Sequence, residues 1–317
     1  MSNVQKNLPN NLRTYRELHD SMDVTPSVPG GLFRGGPGTQ VTENIYTSLP
    51  TNLARPLYPA PAAARAIAMA MEHPGHIIAG MSALAVFGMP YFADHCHTTL
   101  FGPVKRNKPP TQFSPLVQRP TSLEHWYVYF EGVPLKISPP SIAVISALNM
   151  IRANVHRWAA SHIDGITHQE MQSIQLIDAA RRFLAISPED IFTAGKDRVN
   201  KHWLQKVAGF STAKADSPKE TEMRLLAHAL CKKLGLMVVE QHPLWAAGSL
   251  VTVFDLAIPE LKVAIMYDGE HHLKREQRDW DSLVNVEAAL QGWTVIRVTA
   301  GTLPRLPEFL TRAAQAA

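Results

Sequence analysis

Hydrophobic and polar positions alternate most clearly toward the C-terminal end of the chain. Phe254, Leu256 and Ile258 are separated by Asp255 and Ala257, and beyond Pro259-Glu260-Leu261-Lys262 the run Val263-Ala264-Ile265-Met266-Tyr267 is apolar. Successive side chains of a strand point to opposite faces. The two runs therefore predict a hairpin turning at Glu260-Leu261, with Phe254, Leu256, Ile258, Val263, Ile265 and Tyr267 on one core-facing side. In that register Asp255 lies opposite Met266, and Asp268 follows two residues on, pointing the same way. The two carboxylates are expected to converge outside the core. Upstream, Ser217-Pro218-Lys219-Glu220 has the form of a helix start: a capping Ser, Pro at the first helical position and Glu at the third, followed by Met223, Leu225, Leu226, Ala229 and Leu230. A strand at 237–241, a helix at 276–291, a strand at 293–298 and a closing helix at 304–316 complete the order α-β-β-β-α-β-α.

Residues 1–60 lack such periodicity, and the Pro/Gly stretches at 25–31 and 35–38 predict a flexible arm. Apolar spacing then predicts helices at 62–71 and 81–87, broken by His73-Pro74-Gly75 and ended by Gly88-Met89-Pro90. Strands are expected at 97–101, 126–130 and 133–137. Helices follow at 142–150 and 174–184, with a short one after Ser187-Pro188-Glu189-Asp190. The small, polar stretch 210–216 reads as a linker, which divides the chain into an arm at 1–60, a mixed α+β region at 61–210 and a C-terminal α/β domain at 217–317.

At 317 residues the chain has room for two ordinary domains, each with its own core, and its 45% hydrophobic content is that of a globular protein. The two cysteines, Cys96 and Cys231, are far apart. That spacing offers neither a disulfide framework nor a zinc motif and fits a reducing cytoplasm. The start carries no apolar signal core, and the most apolar run, at 60–71, is too short for a bilayer and contains Arg65. A cytoplasmic protein without membrane association is the expectation. The net charge of +4 is compatible with nucleic acid without specifying it, because binding depends on clustered charge. Lys105-Arg106-Asn107-Lys108 is the densest basic cluster and reads as a phosphate contact or as a solvated turn.

The C-terminal residues are the ones with chemistry to offer. Phosphodiester hydrolysis needs a hard cation, and Mg²⁺ prefers oxygen ligands while keeping several of its own waters, so one or two carboxylates suffice. A histidine nearby can then move a proton at neutral pH. Glu220, Asp255, Asp268 and His272 are the candidate catalytic residues, with His271 beside the last. Each has an ordinary reading as well. Asp268-Gly269 suits a turn, Glu220 suits a capping box, and His271 suits a solvated neighbour of His272. Lys274, Arg275 and Arg278 follow closely and could hold a nucleic-acid backbone or form a solvated helix face. Two N-terminal signals carry less. Gly80-Met81-Ser82-Ala83-Leu84 lacks the second Gly of a nucleophile elbow, and adjacent residues in an extended Asp94-His95-Cys96-His97 point to opposite faces.

Taken together, Ser217-Pro218-Lys219-Glu220-Thr221, the Asp255 strand, Tyr267-Asp268-Gly269 with His272, the Gln277 and Asp281 helix, and Gly292-Trp293-Thr294-Val295-Ile296-Arg297-Val298-Thr299 resemble the PD-(D/E)XK nuclease superfamily, and more narrowly its very-short-patch-repair-like endonuclease domains. The resemblance covers about the last third of the chain. It implies a restriction-endonuclease-like core that cleaves DNA with Mg²⁺ or Mn²⁺, in repair or in defence. The metal would be held by Asp255 and the backbone carbonyl of Tyr267, and His272 would act as general base or acid. One departure stands out: Met266 occupies the position where many relatives have Glu, and Asp268 takes the superfamily's usual Lys position. A non-catalytic DNA-binding regulator is the rival reading. The run 77–90 with His97-Thr98-Thr99-Leu100 is loosely similar to abortive-infection type IV antitoxins, which implies a regulatory region that binds a protein partner. Residues 12–18 and 43–46 faintly resemble parts of a winged helix.

Overall fold

The computed structural model describes residues 32–34, 39–47, 58–104, 109–269 and 275–316. The chain divides into two units, one of residues up to Ala159 with Gln172–Ala213, the other of Ala160–Met171 with Lys214–Ala317. The class is α/β, as the patterning predicts. Among the described residues no helix is long and apolar enough to cross a membrane.

The first unit opens with β1 (Leu32–Arg34), β2 (Thr39–Gln40) and β3 (Ile45–Thr47), which form a small antiparallel sheet in the order β1-β3-β2. It lies within the region expected to be a flexible arm. Buried Val41 and Ile45 anchor it, and the Thr42 hydroxyl donates to Glu72 at 2.9 Å. Then come α1 (Ala62–Glu72), β4 (Ile77–Ile78), α2 (Gly80–Val86), β5 (Thr99–Phe101), β6 (Leu116–Gln118), β7 (Trp126–Phe130), β8 (Val133–Ile137), α3 (Pro140–Arg152), α4 (His168–Phe183), α5 (Pro188–Gly195) and α6 (Lys201–Gly209). The five strands from β4 to β8 form a mixed sheet in the order β6-β5-β4-β8-β7. Helix α5 begins with a full capping box between Ser187 and Asp190. Residues 12–18, 25–31, 35–38 and Lys105–Lys108 lie outside the described residues.

The second unit runs α7 (Pro218–Leu234), β9 (Val239–Ala246), β10 (Ser249–Ile258), β11 (Val263–Tyr267), α8 (Arg275–Leu290), β12 (Thr294–Val298) and α9 (Leu306–Ala316), in the expected order α-β-β-β-α-β-α. Helix α7 starts where Ser217 Oγ accepts the Glu220 N–H at 3.2 Å. It stops at Gly235, whose φ of +70° few other residues tolerate. The sheet order is β12-β11-β10-β9, with β11 and β12 parallel and the other pairs antiparallel. A helical crossover is what a parallel pair requires, and α8 provides it. Strand β9 reaches past Pro243, which an edge strand accepts because one side of its backbone has no ladder partner.

Both faces of this sheet are covered. Leu256, Ile258, Val263, Ile265 and Val298 pack on one side against Met223, Ala227 and Cys231 of α7 and Leu306 and Leu310 of α9. On the other side Ala257, Ala264 and Phe254 pack against Val284 and Ala288 of α8 and Trp293. Phe254 thus belongs to the face opposite Leu256, contrary to the simple alternation expected. The β9–β10 ladder is irregular: its register shifts between Leu250 and Thr252, and Gln241, opposite Asp255, has a φ of +56°. With no open sheet face, the carboxylates of β10 and β11 are placed by the strand ends rather than on a solvent-facing surface.

Candidate active site

Asp255 sits on β10, and the pairing Leu256↔Ile265 carries the predicted register of Asp255 opposite Met266. Its Oδ2 accepts the backbone N–H of Tyr267 at 2.8 Å. The peptide group Asp255 is seen to engage is therefore the N–H of Tyr267, on the residue whose carbonyl was expected to share a metal with it. Burial pushes the Asp255 carboxyl up to about 6. The Tyr267 N–H works against that rise, Asp216 and Asp268 add to it, and Arg297 opposes it.

Glu220 reaches the same neighbourhood from the first turn of α7. Its Oε2 accepts the Asp216 N–H at 2.8 Å and its Oε1 accepts the Ser217 hydroxyl at 2.9 Å. The capping box is thus only half formed: Ser217 Oγ accepts the Glu220 N–H, but the Glu220 carboxylate takes the N–H of Asp216 rather than that of the capping Ser217. Capping is not its whole situation, because burial first, and then the negative charges of Asp255 and Asp216, drive its carboxyl up to about 7 despite those two hydrogen bonds. A surface capping residue would be left near its ordinary value.

Asp268 stands at the end of β11, where its N–H donates to the Val298 carbonyl at 2.8 Å. Its carboxylate accepts Arg297 Nη1 at 3.0 Å. Arg297 Nη2 lies 3.3 Å from Asp281 of α8. One guanidinium from β12 thus ties the strand end to the helix, in a part-buried place where ion pairs are screened less than at the surface. Asp268 and Asp281 have a counter-charge in Arg297. Asp255 and Glu220 have nothing comparable among the described residues.

The structure brings Glu220, Asp255 and Asp268 to one end of the sheet and adds Asp216 and Arg297, which the sequence reading did not single out as site residues. Asp216 carries a weak signal, an acid immediately before a capping Ser. Arg297 could have been suspected from the strand 293–298, where it is the charged residue in an apolar run. His271, His272 and Lys274 lie outside the described residues. Arg275 and Arg278 fall in the first turns of α8, with their side chains outside the described set. Among the described residues no group of three or more His, Cys, Asp or Glu is placed to hold a metal ion. What is gathered is a pair of desolvated carboxylates.

The N-terminal signals resolve as packing. Ser82 is buried and accepts the Thr99 N–H at 2.9 Å. Asp94 accepts the Ala62 N–H at 2.7 Å, Cys96 is buried with its thiol pushed up to about 12 by that burial, and His97 is hydrogen-bonded to the Tyr58 hydroxyl. The centre of that region is Arg65, only 1% exposed. It donates to the carbonyls of Ala60, Ala93, Asp94 and Cys96 and to Thr98, with Tyr58 stacked beneath it. Compared with known proteins, the chain matches no family model, no curated protein and no solved structure.

Proposed function

We propose that the second unit is a metal-dependent DNA endonuclease of the very-short-patch-repair-like type, hydrolysing phosphodiester bonds in repair or in defence. One observation supports this above the others: Asp255 and Glu220 are half-buried near one another, with their carboxyls raised to about 6 and about 7. Carboxyls perturbed by desolvation and by one another are characteristic of functional sites. An all-oxygen pair fits Mg²⁺ or Mn²⁺, which binds proteins through one or two carboxylates and retains water. Such an ion, when bound, neutralises charge on the phosphate and acidifies a coordinated water.

In this proposal Asp255, whose Oδ2 accepts the Tyr267 N–H, and the Tyr267 carbonyl are the groups that would hold the ion. Glu220 orients a water while keeping the 216–220 turn closed. Asp268, held by Arg297, positions water or metal, and His272 takes or returns the proton. Lys274, Arg275 and Arg278 hold the DNA backbone. The first unit serves as a regulatory, antitoxin-like region that engages a protein partner, and the protein works in the cytoplasm.

A second reading, a catalytically inactive DNA-binding regulator, is favoured by one feature. Met266 packs against the cluster of Phe254, Ala257 and Ala264, so no acid is available there. Plasmid DNA incubated with the purified protein and Mg²⁺ or Mn²⁺ separates the two. Nicking or cleavage lost in Asp255→Ala and His272→Ala supports the endonuclease. Metal-independent DNA binding without strand breakage supports the regulator.

A further inference from the structure

The open edge of the C-terminal sheet offers a second place for a ligand. Strand β12 is an edge strand of the order β12-β11-β10-β9. The Thr294 N–H donates to Lys262 at 2.8 Å and the Val298 carbonyl accepts the Asp268 N–H at 2.8 Å. Residues 294, 296 and 298 therefore turn their peptide groups toward β11. By the two-residue period of a strand, the N–H and C=O of Val295 and Arg297 point the other way, and among the described residues no hydrogen bond is made to them. Beside this edge lies a groove of about 620 Å³ between β12 and α9, lined by Thr294, Ile296, Phe309, Arg312, Ala313 and Gln315.

We propose that this edge and groove bind an extended, acidic-apolar peptide segment of a partner protein, which adds a strand to the sheet beside β12. Three features specify that occupant. The outward peptide groups of Val295 and Arg297 require a strand-like backbone, since an unpaired edge is a template for another chain. Ile296, Phe309 and Ala313 give the groove an apolar floor for alternate side chains. Arg312 lines it, 72% exposed and 3.9 Å from Glu308, whose carboxylate is already held at 3.1 Å by Arg305 lying over the Phe309 ring. The excess positive charge favours an acidic segment over a basic one. This inference does not depend on the endonuclease reading.

The test is a fluorescence-anisotropy titration of the full-length protein against a short fluorescein-labelled peptide of alternating valine and glutamate. Saturable binding below about 1 mM is expected. Three changes should each weaken it about tenfold or more: Arg312→Glu, which alters only an exposed side chain; Val295→Pro, which removes an outward N–H at an edge that tolerates proline; and N-methylation of alternate peptide residues. Peptide binding should also slow amide exchange at Val295 and Arg297 without changing that at Ile296. Equal binding of the N-methylated probe, no binding of the unmodified one, or a concentration-dependent dimer that Val295→Pro abolishes would overturn the proposal. The last outcome would assign the edge to a second copy of the chain.

Discussion

Replacing Asp255 by Asn tests the charge arrangement at the strand end directly. Asn keeps an oxygen able to accept the Tyr267 N–H, 2.8 Å away in the wild type, but it cannot ionise. With a folded pKa of about 6 against an ordinary 3.8, the carboxylate costs the folded chain about 3 kcal/mol once both folded and unfolded forms are ionised. The sign follows from which state holds the proton. Between the two values the folded chain is protonated and the unfolded chain is not, so stability falls as pH rises through that window and stays low above it. Glu220, raised to about 7 from 4.5, extends the decline toward neutrality. Because Asp255 contributes to that rise, Asp255→Asn also relaxes Glu220. At pH 8 in EDTA the variant should be more stable by about 2–3 kcal/mol, or about 10 °C in melting temperature for a domain of this size. The gap should close toward pH 4. Thermal melts of both proteins across pH 4 to 9 measure it, and Mg²⁺ added at pH 8 should raise the wild-type melting temperature but not the variant's. A variant less stable than wild type at pH 8, or a gap that persists in acid, would refute the reasoning.

Other perturbations probe the surroundings. Glu222 is fully buried and accepts the Ser161 N–H at 3.1 Å, the Ser161 hydroxyl, and Lys219 Nζ at 2.9 Å. Glu222→Ala should destabilise by about 2–4 kcal/mol and speed amide exchange across 160–171, read by mass spectrometry. Arg297→Met leaves Asp268 and Asp281 without their shared cation. A loss of about 2–3 kcal/mol in urea is expected, partly restored by Arg297→Lys, whose single ammonium cannot span both acids in the same way. Gly102→Ala would place a methyl 2.0 Å from the His76 ring. The ring must swing away, at about 1–3 kcal/mol, with a displaced His76 signal in proton NMR.

The order of elements in the second unit was legible because each has a local signature. Ser217-Pro218 caps α7, Gly235 ends it, and the β10–β11 alternation fixes a register that puts Asp255 opposite Met266. Elements of two or three residues, such as Ile77–Ile78 and Leu116–Gln118, escape pattern reading because a period cannot be seen in so short a run. Helix α6 was missed for a different reason: Asn200 caps it, but Lys201, His202, Gln205 and Lys206 dilute its apolar stripe. Phe254 packs on the face opposite Leu256 because β10 does not keep strict alternation, and its ladder with β9 is irregular between Leu250 and Thr252, which an apolar/polar pattern does not reveal. The same holds for the site. Glu220 and Asp255 are separated by most of α7, all of β9 and the first half of β10, and their proximity is a tertiary fact that neither motif encodes alone.

Folding by itself supplies no reason for that proximity. Gln at 220 and Asn at 255 would make the same backbone hydrogen bonds, cap the same helix and stay neutral, so a chain selected for stability alone would gain from both changes. Elsewhere in the unit both sheet faces are packed and the Arg297 guanidinium lies between Asp268 and Asp281, although its Nε and Nη2 are buried without a hydrogen-bond partner among the described residues. The two carboxyls raised furthest are Asp255, within β10, and Glu220, in the first turn of α7. On the proposed function, the two raised carboxyls are where a bound cation would act. A divalent cation has the charge to relieve both acids at once. By binding only the folded state it would return the stability that their ionisation removes.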